Sequence, residues 1–283
     1  MSKNNRLFLF AAYDSNGVID DALIYYVSAL AKFGDVVVCI DYDCKKSEIN
    51  KLKPYSIHQI AKRHGEYDFG SYKRCFQYAR DNDLLKNYKY IYLVNDSVFG
   101  PMYDISNLIT KMENNTADAF GIIESRHKTH SFMESWFVRL NKKVFLSSWF
   151  DEFLSSIQQE ERKSTITVKY EHGLTNIIKQ HKCSCACANS IYGRKTYNQP
   201  KYLFKHGCPF IKKASFTRHS GALGDQIKYV FEHSDKNAVT SVMATANRIY
   251  GKKYMNWFLT SNPIKILWRK ITYGITKLKN GAI

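Results

Sequence analysis

A short polar turn follows the most strand-like segment of the chain. Residues 90–94 are apolar and mostly β-branched or aromatic, Asn95 and Asp96 come directly after them, and the chain-breaking Gly100 and Pro101 follow. This pattern predicts Asp96 at the carboxyl end of a buried strand, where the ligands of open α/β sheets bind. A carboxylate there can hold a metal ion or a sugar hydroxyl. The alternative is an Asx turn, in which the side chain caps its own backbone.

The elements before this turn alternate between strand and helix. Residues 6–13 predict a strand, apolar residues at helical spacing predict a helix over 20–33, and residues 35–40 predict a second strand. This βαβ unit indicates a parallel sheet with a right-handed crossover. No GxGxxG motif lies between the first strand and its helix, which disfavours a dinucleotide-binding fold of the usual type.

The loop RHGEYDFGSYK combines charged side chains with two glycines. Arg63, Asp68 and Lys73 lie in this loop or in the helix predicted to follow it. A guanidinium binds a diphosphate through two hydrogen bonds, and a carboxylate accepts from ribose or base donors. The loop is therefore a candidate binding element for a nucleoside diphosphate. The structural alternative for Asp68 is an ordinary helix cap.

Two carboxylates in the next part of the chain are candidates for a general base. Glu171 precedes the apolar-periodic residues of a predicted helix, so we expect it near the amino terminus of that helix. The positive potential there keeps a carboxylate ionised, which suits either a base or a helix cap. Glu134 is the other candidate base. His130 lies in a polar loop between two predicted strands, without ligand partners at the spacing of a metal site.

The charge of the chain is concentrated in its last third. The formal net charge is +17, with 23 Lys and Arg against 22 Asp and Glu through Glu171, and 19 against 3 after it. A one-sided basic excess marks an anionic partner, which is a nucleic acid, an anionic membrane leaflet or a phosphate-bearing substrate. The basic segment lacks the aromatic motifs or zinc-finger spacing of nucleic-acid binders, so we expect no nucleic-acid partner. A basic nucleic-acid-binding protein is the competing interpretation of this charge.

The seven cysteines indicate a reducing compartment. The amino terminus has no secretion signal and no segment approaches the length of a membrane-spanning helix, which predicts a cytoplasmic protein. Cys183, Cys185 and Cys187 alternate with small residues, a spacing that puts them on one face of a strand. Cysteines at alternate positions of one strand chelate zinc poorly, so we expect these thiols to pack in the core.

The carboxyl-terminal region predicts a basic amphipathic helix that begins at Pro263. Its apolar stripe, flanked by Lys and Arg, consists of Ile264, Leu267, Trp268, Ile271, Ile275 and Leu278. This composition is typical of a helix that lies in the membrane interface. A helix packed on its own domain or on a second subunit is the alternative. We expect residues 1–235 to form the catalytic domain and 236–283 a basic helical region that acts as a membrane anchor.

Six short blocks follow one another along roughly residues 6 to 215. They are AAYDSNGVIDDALIYYVSAL, RHGEYDFGSYK, LVNDSVFGPMYDI, MESWFVRLNKKVF, VKYEHGLT and GCPFIKK. In this order they resemble the rhamnan synthesis protein F family of bacterial cell-surface polysaccharide glycosyltransferases. The resemblance implies an α/β fold with a GT-A-like, Rossmann-type, mostly parallel sheet flanked by helices, followed by a basic helical extension.

The resemblance also implies an inverting transferase that uses a nucleotide sugar. The donor would be deoxythymidine diphosphate rhamnose, uridine diphosphate galactofuranose or another hexose, and the acceptor a lipid-linked polysaccharide at the inner face of the plasma membrane. Glu171 would act as base, and Asp96 with Mn²⁺ or Mg²⁺ would hold the diphosphate. The stretch Asn95–Ser97 has one carboxylate, whereas GT-A enzymes commonly have two at this point. This difference puts dependence on a divalent cation in doubt. The protein could also be a non-catalytic scaffold, and a homo-oligomer is left open.

The remaining site residues are assigned to the two substrates. The residues that we expect to bind the donor are Tyr13, Asp14, Asp41, Arg63, Asp68, Lys73, Asn95 and Lys212. Those that we expect to bind the acceptor are His130, Glu134 and Trp136.

Overall fold

The computed structural model describes residues 5–193 and 195–279 of the chain. Its contacts divide the chain into two units. The first unit contains the chain up to Asp96 together with Ser106–Tyr192, and the second contains Ser97–Ile105 and the chain from Gly193 onward. A domain boundary after residue 235 stays a prediction.

The strands of the described residues alternate with helices along most of the chain. They are β1 (Arg6–Ala12), β2 (Asp35–Ile40), β3 (His58–Ala61), β4 (Tyr90–Asn95), β5 (Val98–Phe99), β6 (Ala119–Arg126), β7 (Ser131–Met133), β8 (Phe137–Asn141), β9 (Cys185–Tyr192) and β10 (Ile211–Lys212). The helices of the first unit are α1 (Asp21–Leu30), α2 (Lys46–Ile49), α3 (Tyr67–Asp81), α4 (Ser106–Asn114), α5 (Lys142–Phe145), α6 (Ser148–Ser155), α7 (Lys163–Ile166) and α8 (Gly173–Gln180). Those of the second unit are α9 (Lys195–Asn198), α10 (Pro200–Lys205), α11 (Gly224–Glu232), α12 (Lys236–Tyr250), α13 (Lys252–Phe258) and α14 (Pro263–Lys279).

The first unit is built on one mixed sheet. Its strand order is β3-β2-β1-β4-β8-β6-β7, with β9 paired to β6. The pairs β1·β2, β1·β4, β2·β3 and β6·β9 are parallel, and the pairs of β8 with β4 and β6, like β6·β7, are antiparallel. All residues of β1 and β4 are buried, which their continuous apolar runs predict for central strands covered on both faces. The predicted α/β fold with a mostly parallel sheet flanked by helices, followed by carboxyl-terminal helices, is confirmed.

One helical segment differs from its prediction. The sequence predicted that a helix begins just after Glu171, but α7, a π-helical turn over Thr167–His172 and α8 follow one another without a break. The backbone at Ile166 and at Gly173 is right-handed helical, so the segment is one helix with a wide turn in it. Glu171 therefore lies inside this helix and not at its amino terminus, and the argument from helix-end potential was wrong.

The cysteines near β9 belong to the core. Cys183 is buried in the main apolar cluster, and Cys185 and Cys187 pack against it. Burial raises the pKa of Cys185 to about 11 and that of Cys187 to about 12, so both are neutral thiols at pH 7. The prediction that these residues pack in the core is confirmed.

The second unit is mainly helical, with a short antiparallel ladder. β5 and β10 pair through Phe99 opposite Ile211 and Val98 opposite Lys212. Asp235 caps α12 by accepting from the backbone N–H of Asn237 at 2.9 Å. In the part of the chain that the structure describes, no helix has both the length and the apolar character needed to cross a membrane.

Candidate functional site

The carboxyl ends of three parallel strands form the edge at which the candidate site lies. Register places Ala11 of β1 beside Asn95 of β4 and Ala12 beside Ile40 of β2. The backbone N–H of Asp96 donates to the carbonyl of Ala11 at 3.1 Å, and the Asp96 side chain is half-buried. The prediction that Asp96 follows a buried strand at this edge is confirmed.

The amino-terminal turn of α3 is joined to the end of β4 by a side-chain hydrogen bond. The amide Nδ2 of Asn95 donates to Oδ2 of Asp68 at 2.8 Å. Asn95 is only 2 % exposed, whereas Asp68 is half-buried in the first turn of the helix. Asn95, which directly precedes Asp96 in the chain, thus fixes the Asp68 carboxylate at the edge of the sheet. Asp68 does not cap α3, since the cap position is Glu66.

Tyr72 links this pair to Glu171. It lies one helical turn after Asp68, is fully buried, and donates from its hydroxyl to the carbonyl of Ser135 at 2.9 Å. Burial raises the pKa of Tyr72 well above its ordinary value, the charge of Asp68 adds to this effect, and Glu171 contributes a smaller repulsion. The Tyr72 hydroxyl is therefore neutral, and the charges of both carboxylates contribute to its raised pKa.

Glu171 belongs to the π-helical turn and is half-buried. Its neighbour Tyr170 is buried in the core, where its ring lies 6.0 Å from that of Phe69 in α3. This packing fixes the wide turn against the first turn of α3, the same turn that holds Asp68. Wide turns of this kind occur frequently at functional sites because they re-aim side chains.

A second group of predicted residues lies beyond β1 and β2. The Arg63 guanidinium stands over the Tyr13 ring at 5.3 Å from the centroid, and both side chains are about half exposed. Asp41 is buried and organises the loop, since its Oδ1 accepts from the backbone N–H groups of His64 at 2.7 Å and Gly65 at 2.9 Å. Arg63 also donates to the carbonyl of Asp41 at 3.2 Å. Tyr13 and Arg63 are therefore held together and remain accessible.

Two of the predicted donor residues serve local structure. Oδ1 of Asp14 accepts from the backbone N–H groups of Asn16 at 2.9 Å and Val18 at 3.1 Å, which is an Asx turn. Lys73 forms an ion pair with Glu66 at 2.8 Å and donates to the carbonyl of Ile157 at 2.6 Å. These contacts hold the turn after β1 and the packing of α3, and donor binding by Asp14 and Lys73 stays a prediction.

The predicted acceptor residues lie in and after the β6–β7 hairpin. Nε1 of Trp136 donates to Oε2 of Glu134 at 2.7 Å, and both side chains are buried. His130 is exposed, and its ring lies 4.6 Å from that of His127 and 5.0 Å from that of His172. Partial burial and the charges of the other two histidines lower the pKa of His172, so its ring is neutral at pH 7. Of the predicted acceptor residues, His130 is the one that presents an accessible ring.

Lys212 belongs to the second unit. Its Nζ donates to Oγ of Ser97 at 3.1 Å and lies 5.6 Å from the centroid of the Tyr197 ring. The side chain is buried, so these contacts fix the position of its charge.

The described residues hold no group of three or more His, Cys, Asp or Glu side chains arranged for a metal ion. The donor set at the edge of the sheet suits a hard divalent cation that is held by one or two carboxylates together with substrate phosphates. Asp96, in the accessible part of this edge, fits such a cation, whereas a cage made by protein ligands alone does not fit. Metal dependence stays a prediction.

Sequence reasoning missed three residues of the site. Tyr72 and His172 contact Ser135 and Phe132, which belong to distant parts of the chain, whereas Glu66, at the cap position of α3, pairs locally with Lys73 in that helix. The spacing of Asp68 and Tyr72, four residues apart on one helix, was a visible signal that the two side chains share a face.

Comparison with known proteins gives a distant curated relative and two similar solved structures. An uncharacterised protein of Sinorhizobium fredii, y4gN, is 23% identical over 166 residues, which cover 58% of this chain and 43% of that protein, less than half of its length. The glycosyltransferase GlyE of Streptococcus pneumoniae TIGR4 is 11% identical, with a TM-score of 0.46, and the match covers 89% of this chain and 64% of that chain. Core-mannan synthase A of Aspergillus fumigatus, in its Mn/GDP form, is 13% identical, with a TM-score of 0.37, over 68% of this chain and 73% of that chain.

The family comparison covers far more of the chain. The model of rhamnan synthesis protein F matches residues 36–275, which include β2 to β10 and most of the second unit. This match spans every candidate site residue except Tyr13 and Asp14. The chain therefore belongs to the rhamnan synthesis protein F family.

Proposed function

We propose that this chain, a glycosyltransferase of cell-surface polysaccharide synthesis, transfers a sugar from a nucleotide sugar to a lipid-linked polysaccharide with inversion at the anomeric carbon. The observation that supports this proposal best is the hydrogen bond by which Asn95, at the carboxyl end of β4, fixes the Asp68 carboxylate beside the strand end that Asp96 follows. The buried Tyr72 hydroxyl, one helical turn after Asp68, stays neutral, and the charges of Asp68 and, to a smaller extent, Glu171 contribute to its raised pKa. The carboxyl edge is where open α/β sheets bind ligands.

The donor would bind along the ends of β1 and β2. The exposed Tyr13 ring offers a stacking surface for a nucleobase, and Arg63 is held against that ring. A guanidinium in this position can form two hydrogen bonds with a diphosphate. Asp68, fixed by Asn95, can accept from a ribose or sugar hydroxyl. Deoxythymidine diphosphate rhamnose is the first candidate donor, and uridine diphosphate galactofuranose or another hexose donor is the alternative.

Glu171 would take the proton from the acceptor hydroxyl. The hydroxyl oxygen then forms a bond to the anomeric carbon of the donor while the bond from that carbon to the diphosphate breaks. The nucleoside diphosphate leaves with the electron pair of the broken bond, and its growing charge faces Arg63. A divalent cation held by Asp96 would neutralise part of this charge when it is bound. A single base on one side of the reacting carbon favours inversion.

The acceptor would approach from the side of the hairpin. The exposed ring of His130 is stacked with that of His127, and His172 directly follows Glu171 in the chain. Stacked imidazoles offer a flat surface to the apolar face of a sugar ring. Glu134 is buried and accepts from Trp136, so it supports the hairpin, and Glu171 is the better candidate base.

A thermal-shift panel of nucleotide sugars with and without Mn²⁺ or Mg²⁺ tests this proposal. A donor present at a hundred times its dissociation constant stabilises the fold by about 2.7 kcal/mol. We expect one nucleotide sugar to raise the unfolding midpoint of the wild type but not of Asp96→Ala. Asp81→Ala is the control, because Asp81 is an exposed carboxylate at the other end of α3. Stabilisation by oligonucleotides alone would instead support a nucleic-acid binder.

A scaffold without catalytic activity makes a different prediction. It requires that Asp96→Ala and Glu171→Ala leave polysaccharide synthesis intact in the cell. The transferase proposal requires that both substitutions abolish synthesis while the Asp81→Ala chain supports it. Product analysis by NMR then tests inversion, and a product with the anomeric configuration of the donor would contradict it.

A further inference from the structure

The helix α14 exposes a stripe of large apolar side chains. Ile264, Leu267, Trp268 and Ile271 are 76%, 59%, 66% and 45% exposed, and they follow the spacing of one helical face. Single exposed apolar residues are common on protein surfaces, whereas four on one face of a helix mark an interaction site.

The stripe faces outward because contacts on the opposite side of the helix attach it to the rest of the second unit. Arg269 is 1% exposed, forms an ion pair with Asp225 at 2.7 Å and donates to the carbonyls of Trp257 and Phe258. At 100° per residue, Arg269 lies roughly 150° around the helix from the centre of the stripe. The Tyr273 ring, also on this inner side, lies 4.7 Å from the ring of His219. A buried and fully paired guanidinium holds the helix in one rotational setting.

The charges around the stripe indicate the chemistry of the partner. Lys265 and Lys270 flank it on the two sides and are exposed. From Thr240 onward the sequence contains no acidic residue. A partner must therefore accept four apolar side chains between two lysines, of which Lys270 also lies 3.6 Å from the Asp225 carboxylate. A bilayer surface with anionic lipids does this, because apolar groups enter the acyl boundary while lysines stay among the headgroups.

We propose that α14 binds the surface of an anionic membrane through this stripe. The helix lies in the plane of the interface, with Trp268 at the level of the headgroups and Leu267 below it. Binding of this kind requires no segment that crosses the bilayer. It is independent of the transfer reaction and of the residues at the edge of the sheet.

Vesicle binding by the full chain tests this proposal without any nucleotide sugar. The probes are vesicles of phosphatidylcholine alone and of phosphatidylcholine with 30 mol% phosphatidylglycerol, and sedimentation gives the bound fraction. We expect binding to the anionic vesicles only. Replacing both Leu267 and Trp268 by Gln should weaken it at least about tenfold, since each removes buried apolar area. Ile57→Gln, a change at an exposed apolar residue of the first unit, should leave binding unchanged.

The charge contribution is measured separately. Lys265→Gln should weaken binding by about fivefold, the effect of one basic residue near an anionic leaflet, and raised salt should weaken it further. Brominated lipids should quench the fluorescence of the wild type, and this quenching should be lost in Trp268→Phe.

Three results would overturn the proposal. One is equal binding of the wild type and the Leu267→Gln, Trp268→Gln chain. Another is light scattering that shows a dimer in the wild type and a monomer in that double variant, because the stripe would then join two copies. The third is binding to oligonucleotides that the double variant loses. Since the assay contains no donor, an inactive enzyme would leave these outcomes unaffected.

Discussion

Replacing Asn95 by Asp should destabilise the protein in a strongly pH-dependent way. The substitution keeps the shape of the side chain but sets a second carboxylate 2.8 Å from Oδ2 of Asp68. Two charges at this distance repel by about 6 kcal/mol at an effective dielectric constant near 20. Protonating one of them costs less, about 4 kcal/mol at pH 7 for a group whose ordinary pKa is near 3.9. The two carboxylates will therefore share a proton. The substitution should lower the free energy of unfolding at pH 7 by about 4 kcal/mol.

The sign of the pH dependence follows from this shared proton. The substitution gives the folded state a carboxyl with a raised pKa, so the folded state binds one more proton than the unfolded state. The loss of stability should fall to about 1.5 kcal/mol at pH 5, because protonation is cheaper there. The protonated carboxyl then donates to Asp68 in place of the amide.

Urea denaturation of the wild type and Asn95→Asp at pH 5 and pH 7, followed by tryptophan fluorescence, measures both values. The control is the exchanged pair Asp68→Asn with Asn95→Asp, which again has one carboxylate and one amide donor. We expect it to recover most of the stability at pH 7. A loss that is the same at both pH values, or an exchanged pair no more stable than Asn95→Asp, would refute the geometry of this pair.

Three further predictions concern other parts of the molecule. Arg269→Met should lower the free energy of unfolding by about 1–3 kcal/mol because the carbonyls of Trp257 and Phe258 lose their donor. Lys270→Met should cost under about 1 kcal/mol, since Lys270 is exposed, and chemical denaturation measures both values. Arg63→Ala should weaken nucleotide-sugar binding by about tenfold with little change in stability, as measured by calorimetric titration. Tyr72→Phe should cost about 1–3 kcal/mol by removing the donor to Ser135, and this loss should be constant from pH 5 to 9. The raised pKa of Tyr72 keeps its hydroxyl protonated in the fold, so its contribution would be lost only as the pH rises above about 10.

The central strands were predictable because their signal is local. Residues 90–94 and the first two strands are continuous apolar runs, and such runs are buried in a parallel sheet wherever they lie. The positions of Asp96, Asp41 and Asp14 followed from these runs alone. The sequence therefore located the edge at which the candidate site lies, since a residue that follows a strand of a parallel sheet lies at the carboxyl edge of that sheet.

The helix around Glu171 was not predictable from helical periodicity. Its buried residues Ile166, Tyr170, Leu174 and Ile178 recur every four positions, a longer repeat than the 3.6 of an α-helix. A π-helical turn accommodates this longer repeat by widening the helix. Residues 164–168 are also mostly β-branched, which argues locally against a helix.

Contacts between distant elements decided which charged residues serve the site. Lys73 resembles a phosphate-binding lysine in the sequence, but Glu66 and the carbonyl of Ile157 hold it in the fold. Tyr72 carries no motif, and its electrostatic interaction with Asp68 and Glu171 depends on the packing of α3 near the wide turn. Neither fact can be found from spacing along the chain.

The rate of sugar transfer by Glu171→Gln tests the central claim most directly. The assay measures release of nucleoside diphosphate from deoxythymidine diphosphate rhamnose or uridine diphosphate galactofuranose. Membranes of a strain that lacks this chain supply the acceptor. We expect Glu171→Gln to retain donor binding in the thermal-shift assay but to lose at least about a hundredfold in rate, the usual contribution of a general base. Glu134→Gln should stay within about tenfold of the wild type. Full activity of Glu171→Gln, or its loss in Glu134→Gln with donor binding intact, would contradict the assignment of Glu171 as the base.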